Sequence, residues 1–118
     1  PLEIGFVDGF DNLDLIGALD HHRPTAIIGS NDLVALGVIG ALRRQGMTVP
    51  DDVSVAGFDG IPIGRLFDRP LTTIEMPDAS MGTAAASLLL DMVQNGTPAR
   101  HLQLGHRLFV GATVRDIR

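Results

Sequence analysis

Two short apolar runs, each closing on a polar corner, constrain this chain more than any other feature. Thr25–Gly29 (Thr-Ala-Ile-Ile-Gly) is apolar apart from Thr25 and runs into Ser30-Asn31-Asp32. Val53–Gly57 (Val-Ser-Val-Ala-Gly) runs into Phe58-Asp59-Gly60. Short apolar segments without strict alternation suit strands buried on both faces, as in a parallel sheet. The stretch between them predicts a helix over 32–45. Ser30, Asn31 and Asp32 supply capping side chains, Arg43, Arg44 and Gln45 fill the last turn, and Gly46 is the left-handed stop. Strand, helix, strand in that order is a crossover unit, and right-handed crossovers make a sheet mostly parallel.

The flanking segments extend the pattern. Residues 2–7 read as a first strand. Asp11 or Asn12 caps a helix carrying Leu13, Ile16 and Leu19 at helical spacing, with His21, His22 and Arg23 at its end and Pro24 as a stop. Residues 58–70 hold Gly60, Pro62, Gly64 and Pro70 and read as a long loop with at most a short helical turn. Leu71–Ile74 is a short strand. Asp78–Asn95 is a helix with Met81, Ala84, Ala85, Leu88 and Met92 on one stripe, ended by Gly96 and Pro98. Arg107–Thr113 is a last strand. The expected fold class is α/β, a mostly parallel sheet flanked by helices.

Composition removes several function classes. The 118 residues include no Cys, so no disulfide framework, thiolate nucleophile or Cys-based zinc site exists. All nine basic residues are Arg, which excludes a Schiff-base or phosphate-loop lysine. Without Trp or Tyr, stacking platforms for single-stranded nucleic acid are not expected. A net charge of −5 is the wrong footprint for gripping DNA directly. No apolar run approaches the roughly 20 residues of a membrane span, and no secretory leader is evident. Consecutive His21 and His22 diverge on a helix and do not face one metal together. No cofactor is implied. A start at Pro1 rather than Met suggests a piece of a longer polypeptide.

In parallel sheets, ligands lie beyond the carboxyl ends of the strands. That rule selects Asn31 and Asp59, which share one rim if their strands are neighbours. Asn offers donors and an acceptor and Asp a two-oxygen acceptor, a set suited to hydroxyl-rich or amine-bearing small molecules. Two plainer readings stand beside this one: Ser-Asn-Asp before a helix is a capping signal, and Asp59 before Gly60 caps a turn. A small enzyme using Asp32 or Asp59 lacks a nucleophile or metal partner at any evident spacing. Helix 32–45 is apolar almost all round, which calls for the sheet on one side and a second partner, such as another copy, on the other.

Three segments carry a family resemblance. Residues 24–46 (Pro-Thr-Ala-Ile-Ile-Gly-Ser-Asn-Asp-Leu-Val-Ala-Leu-Gly and onward), 49–59 (Val-Pro-Asp-Asp-Val-Ser-Val-Ala-Gly-Phe-Asp), and Pro-Leu-Thr-Thr-Ile at 70–74 followed by Met81-Gly82 and Leu88-Leu89-Leu90 together resemble the LacI/GalR transcription regulators. The resemblance covers about residues 24–113. It implies that 1–118 is the C-terminal lobe of a periplasmic-binding-protein-like effector domain, with 77–103 a crossover segment packing on an N-terminal lobe. It further implies a cytoplasmic homodimer that senses a sugar-like or nucleobase-like effector, is not an enzyme, does not engage membranes, and reaches DNA only through a helix-turn-helix segment outside these residues. The positions matching ligand contacts are Asn31 and Asp59, with Met76 at a crossover position and Phe6 as an aromatic wall. Leu36, Ile39 and Phe67 match the dimer contact. Family members commonly carry Gly-Phe-Asp-Asp, whereas here Gly60 replaces the second Asp, and Gly111 stands where a cation is common. Gly60 is more usual in periplasmic sugar-binding proteins, so the C-terminal lobe of such a protein is the alternative.

Overall fold

The structure is a computed structural model and describes residues 23–116. Those residues fall into two compact units, one running through Glu75 and resuming at Leu108, the other Met76–Arg107. The strand, helix and capping proposals for residues 1–22, with Phe6, His21 and His22, lie outside the described residues.

In the first unit, β1 (Ala26–Ile28) leads into helix α1 (Asp32–Arg44), then β2 (Ser54–Asp59), a 3-10 turn (Pro62–Arg65) and β3 (Thr72–Glu75). With β4 (Arg107–Phe109) these form a four-stranded sheet in the order β1-β2-β3-β4. β1 pairs parallel with β2, Ile27 opposite Val55, and β2 pairs parallel with β3, Asp59 opposite Glu75. The expected crossover topology is therefore present.

Helix α1 forms where its capping residues dictate. Asn31 holds an extended backbone (φ −150°, ψ 175°), and its side-chain oxygen accepts the Val34 N–H at 2.8 Å, satisfying one of the orphan donors of the first turn. Arg43 and Arg44 sit in the last turn, where the helix dipole favours cations. Ala35, Val38, Ile39, Ala41 and Leu42 from α1 meet Val49, Val53, Val55 and Leu71 in the core. Full burial of a side chain such as Leu42, Leu71 or Val55 stabilises by about 1.5–3 kcal/mol.

Two expectations need correction here. β1 is not buried on both faces: Ile27 packs against the core, but Ala26 is exposed and Ile28 is 79% exposed, because α1 covers only one face of the strand among the described residues. The final strand stops at Phe109 rather than Thr113. Beyond it, side-chain hydrogen bonds join the ladder. The Thr113 hydroxyl donates to the Val55 carbonyl at 2.7 Å and accepts the Thr72 N–H at 2.9 Å, while the Gly111 N–H donates to the Thr72 hydroxyl at 3.1 Å.

The second unit holds α2 (Asp78–Asn95), which ends at Gly96 in the left-handed conformation (φ 62°). Its start and stop fall where the sequence places them, yet none of its residues is buried. Met81 and Met92, from its apolar stripe, remain exposed, and Leu88 is half-buried. An open groove of about 540 Å³ runs along it, lined by Ala79, Thr83, Ser87, Arg100 and Leu102 among others. Among the described residues, no helix is long and apolar enough to cross a membrane.

Candidate functional site

Parallel pairing of β1 and β2 brings two loop corners to one edge of the sheet. The first is Ser30-Asn31, leading into Asp32 at the start of α1; the second is Gly60-Ile61, following Asp59 at the end of β2. The rim expected for Asn31 and Asp59 therefore exists as adjoining strand ends.

Asn31 is half-buried and performs the capping role. Capping occupies its Oδ1. The amide group, with two donors, makes no hydrogen bond to the described residues, so capping leaves it available.

Asp32 is fully buried. Oδ2 accepts the Ile61 N–H at 2.8 Å, and Oδ1 accepts the Thr73 hydroxyl at 2.5 Å. This carboxylate ties the first turn of α1 to the second corner and to β3. A buried polar group persists when it is hydrogen-bonded, and these two bonds meet that need. With both oxygens engaged and no exposed surface, Asp32 is a structural anchor and not the general acid or base that an enzyme reading requires. The neighbouring strand accommodates it through Gly57, where a Cβ would run into Asp32 Oδ1 and approach Leu71 Cδ2 to 3.0 Å.

Asp59 is exposed and ends β2 with φ +111°, in a region that a non-glycine residue enters at a cost of about 1–3 kcal/mol. Such strain persists only where the surroundings over-determine it. Gly60 follows at φ +77°, and a Cβ there would meet Glu75 Cα and Cγ at 2.8 Å and its Cβ at 3.0 Å. Glu75 in turn forms an ion pair with Arg65 of the 3-10 turn. The Arg65 guanidinium lies 4.7 Å from the centroid of the Phe109 ring on β4, within cation–π range. The replacement of an acidic residue by Gly60 thus has a local steric reason: Glu75 fills the space a side chain would need.

The remaining candidates divide. Met76 is half-buried, directly follows β3 and belongs to the second unit. Leu36 is half-buried against the core, Ile39 is a member of the core, and Phe67 is 40% exposed. Among the described residues no cluster of three or more His, Asp or Glu could hold a metal ion. Thr73, Glu75, Arg65 and Phe109 were not singled out from sequence. The Thr72-Thr73 pair, the two buried residues of β3, was the available signal, since a buried hydroxyl needs a partner.

The comparisons with known proteins agree with this architecture. Residues 5–114 match the periplasmic binding protein-like domain family. The transcriptional repressor PurR of Mannheimia succiniciproducens is 36% identical over 111 residues, covering 93% of this chain and 33% of the repressor. The crystal structure of a LacI family transcriptional regulator from an Arthrobacter species, in complex with lactose, superposes with a TM-score of 0.73 at 34% identity, covering 85% of this chain and 39% of that one. The lac repressor dimer bound to operator and the anti-inducer ONPF gives a TM-score of 0.79 at 29% identity, over 90% of this chain and 37% of that one. The chain spans about a third of the length of the PurR repressor it matches.

Proposed function

Because the chain belongs to the periplasmic binding protein-like domain family and matches LacI-type transcriptional regulators along most of its length, we propose that it is the C-terminal lobe of such a regulator's effector domain. The effector is a sugar-like polyol or a nucleobase-like molecule. Asn31 and Asp59 contact it from the rim, and Met76 and Phe6 are further candidate contacts by their match to family positions. The observation that carries this reading is the placement of Asn31 and Asp59 at the carboxyl ends of adjacent parallel strands, where ligands of open α/β sheets bind. Relatives with this domain are transcriptional regulators, and the burial of Asp32 removes one of the two candidate acids.

In this reading the regulator is a cytoplasmic homodimer that does not engage membranes. The 77–103 segment packs on an N-terminal lobe, and DNA is read by a helix-turn-helix segment outside these 118 residues. Leu36, Ile39 and Phe67 mark the dimer side of the first unit, Ile39 from within the core and Phe67 from the surface. The effector biases the dimer between DNA-bound and released states, a coupling free energy between two sites. One lobe supplies half of a cleft, so the isolated chain is expected to bind weakly.

Amide-resolved NMR of the chain, titrated separately with lactose and hypoxanthine, tests the site. The reading expects saturable shifts concentrated at residues 29–31 and 57–61 for at least one of the two. Shifts spread elsewhere, or none up to solubility, would contradict it.

A further inference from the structure

We propose that Glu75, held by Arg65 over the Phe109 ring, is a positioning residue for Asp59. Four observations converge. Asp59 and Glu75 are register partners on β2 and β3. Asp59 keeps φ +111° although it carries a side chain. Gly60 approaches Glu75 so closely that its missing Cβ would meet the Cα, Cβ and Cγ of that residue. The Glu75 side chain, 12% exposed, is paired with Arg65, whose guanidinium is itself fixed over Phe109 at 4.7 Å.

The mechanical sense of this arrangement follows from its two ends. On one side of the corner, the Ile61 N–H is fastened to Asp32. On the other, Gly60 abuts Glu75. Asp59, immediately before, has no freedom to relax toward an ordinary strand conformation without moving Gly60 into space that Glu75 occupies. Arg65 contributes to keeping Glu75 there, since removing the cation from a nearly buried ion pair is destabilising. Phe109 keeps Arg65 there, because a guanidinium stacks on an aromatic face while bonding in its own plane. The outcome is a rim carboxylate held in one direction before any ligand arrives, which lowers the ordering cost of binding.

The value of this device to effector recognition rests on the proposed function, but its test does not. The three-bond HN–Hα coupling of Asp59 is small at this positive φ and large in an extended strand, and it is measured in the 118-residue chain without ligand. The proposal expects a small coupling in the wild type and a shift toward the extended value in Glu75→Ala and Arg65→Met. Glu75→Gln, which keeps the volume against Gly60 and a hydrogen-bonding partner for Arg65, restores most of the small coupling. The α1 couplings stay unchanged throughout. A large coupling in the wild type overturns the proposal, as does a small one that persists in both disrupting variants. If the Asp59 coupling responds as expected while lactose and hypoxanthine shifts at the rim are absent, the positioning role stands and the effector reading fails.

Discussion

The Thr73 hydroxyl on β3 donates to Oδ1 of Asp32 at the first turn of α1, at 2.5 Å, and both groups are buried. One carboxylate thereby joins the helix that carries Asn31 to the strand that carries Glu75, and through the Ile61 N–H to the corner that follows Asp59. The rim is stiff because its anchor lies beneath it.

Removing that anchor is expected to be costly. Asp32→Ala leaves the half-buried Ile61 N–H without its partner and the Thr73 hydroxyl with only a long bond to the Ile74 carbonyl at 3.5 Å, at about 1–3 kcal/mol for each poorly satisfied group. Thr73→Val keeps the shape but leaves Oδ1 of the buried Asp32 without its donor, so its cost falls at the upper end of that range. Urea unfolding of the two variants against wild type measures both. Equal midpoints for Asp32→Ala and wild type would show that the carboxylate is not an anchor.

Gly57 supplies the steric counterpart. Gly57→Ala places a methyl group against Asp32 Oδ1 and Leu71, and overpacking of this kind costs typically about 1–3 kcal/mol. Combination with Asp32→Ala is expected to be less than additive, because the two substitutions share one contact. A thermal or urea double-mutant cycle reads the coupling directly, and strict additivity would argue against it.

Much of this architecture was legible beforehand, for identifiable reasons. The ends of α1 and α2 follow from side chains that act locally: Asn31 on the Val34 N–H, and Gly96 in the left-handed region. The adjacency of the two corners was conditional on β1 and β2 being neighbours, which sequential strands tend to be, and the pairing of Ala26–Ile28 with Ser54–Ala56 meets that condition. The role of Asp32 was not legible, because a capping acid and a buried anchor look alike until Thr73 and Ile61, distant in sequence, are brought to it. The Arg65–Glu75–Phe109 chain is not legible in sequence for the same reason: its members lie on a turn and two strands with no shared local pattern. The exposure of Ile28 was missed because an apolar run reports that a strand has apolar faces, not that both of them are covered.

Acid stability has a local reporter. The Asp52 carboxylate accepts the Thr48 N–H and the Thr48 hydroxyl, each at 2.7 Å, and these bonds, the backbone one foremost, hold its pKa below the ordinary 3.8. A depressed carboxylate pKa contributes stability that is complete above the unfolded value and is lost as pH falls through the folded one. Asp52→Asn is therefore expected to lower stability near neutrality, where the contribution is complete, and to flatten stability against pH below about pH 4, so that the two proteins converge in acid. Urea midpoints measured across the acid range decide it, and parallel curves for the two proteins would exclude the contribution.

The dual duty of Asn31 separates by chemistry. Asn31→Ala removes the cap and is expected to cost about 0.5–2 kcal/mol. Asn31→Asp keeps an oxygen for the Val34 N–H and sets a negative charge at the helix N-terminus, so stability is preserved or raised. It also deletes both amide donors, the groups that capping leaves available for a ligand.

That asymmetry gives the most direct measurement of the central claim, which is that Asn31 and Asp59 bind the effector. NMR titration of the chain with whichever of lactose or hypoxanthine shifts the rim amides is repeated in Asn31→Asp and Asp59→Asn, alongside urea unfolding. The account predicts that Asn31→Asp unfolds at or above the wild-type midpoint while both variants lose ligand affinity at least tenfold, about 1.4 kcal/mol of binding free energy. Undiminished affinity in both variants, with folding intact, would contradict it.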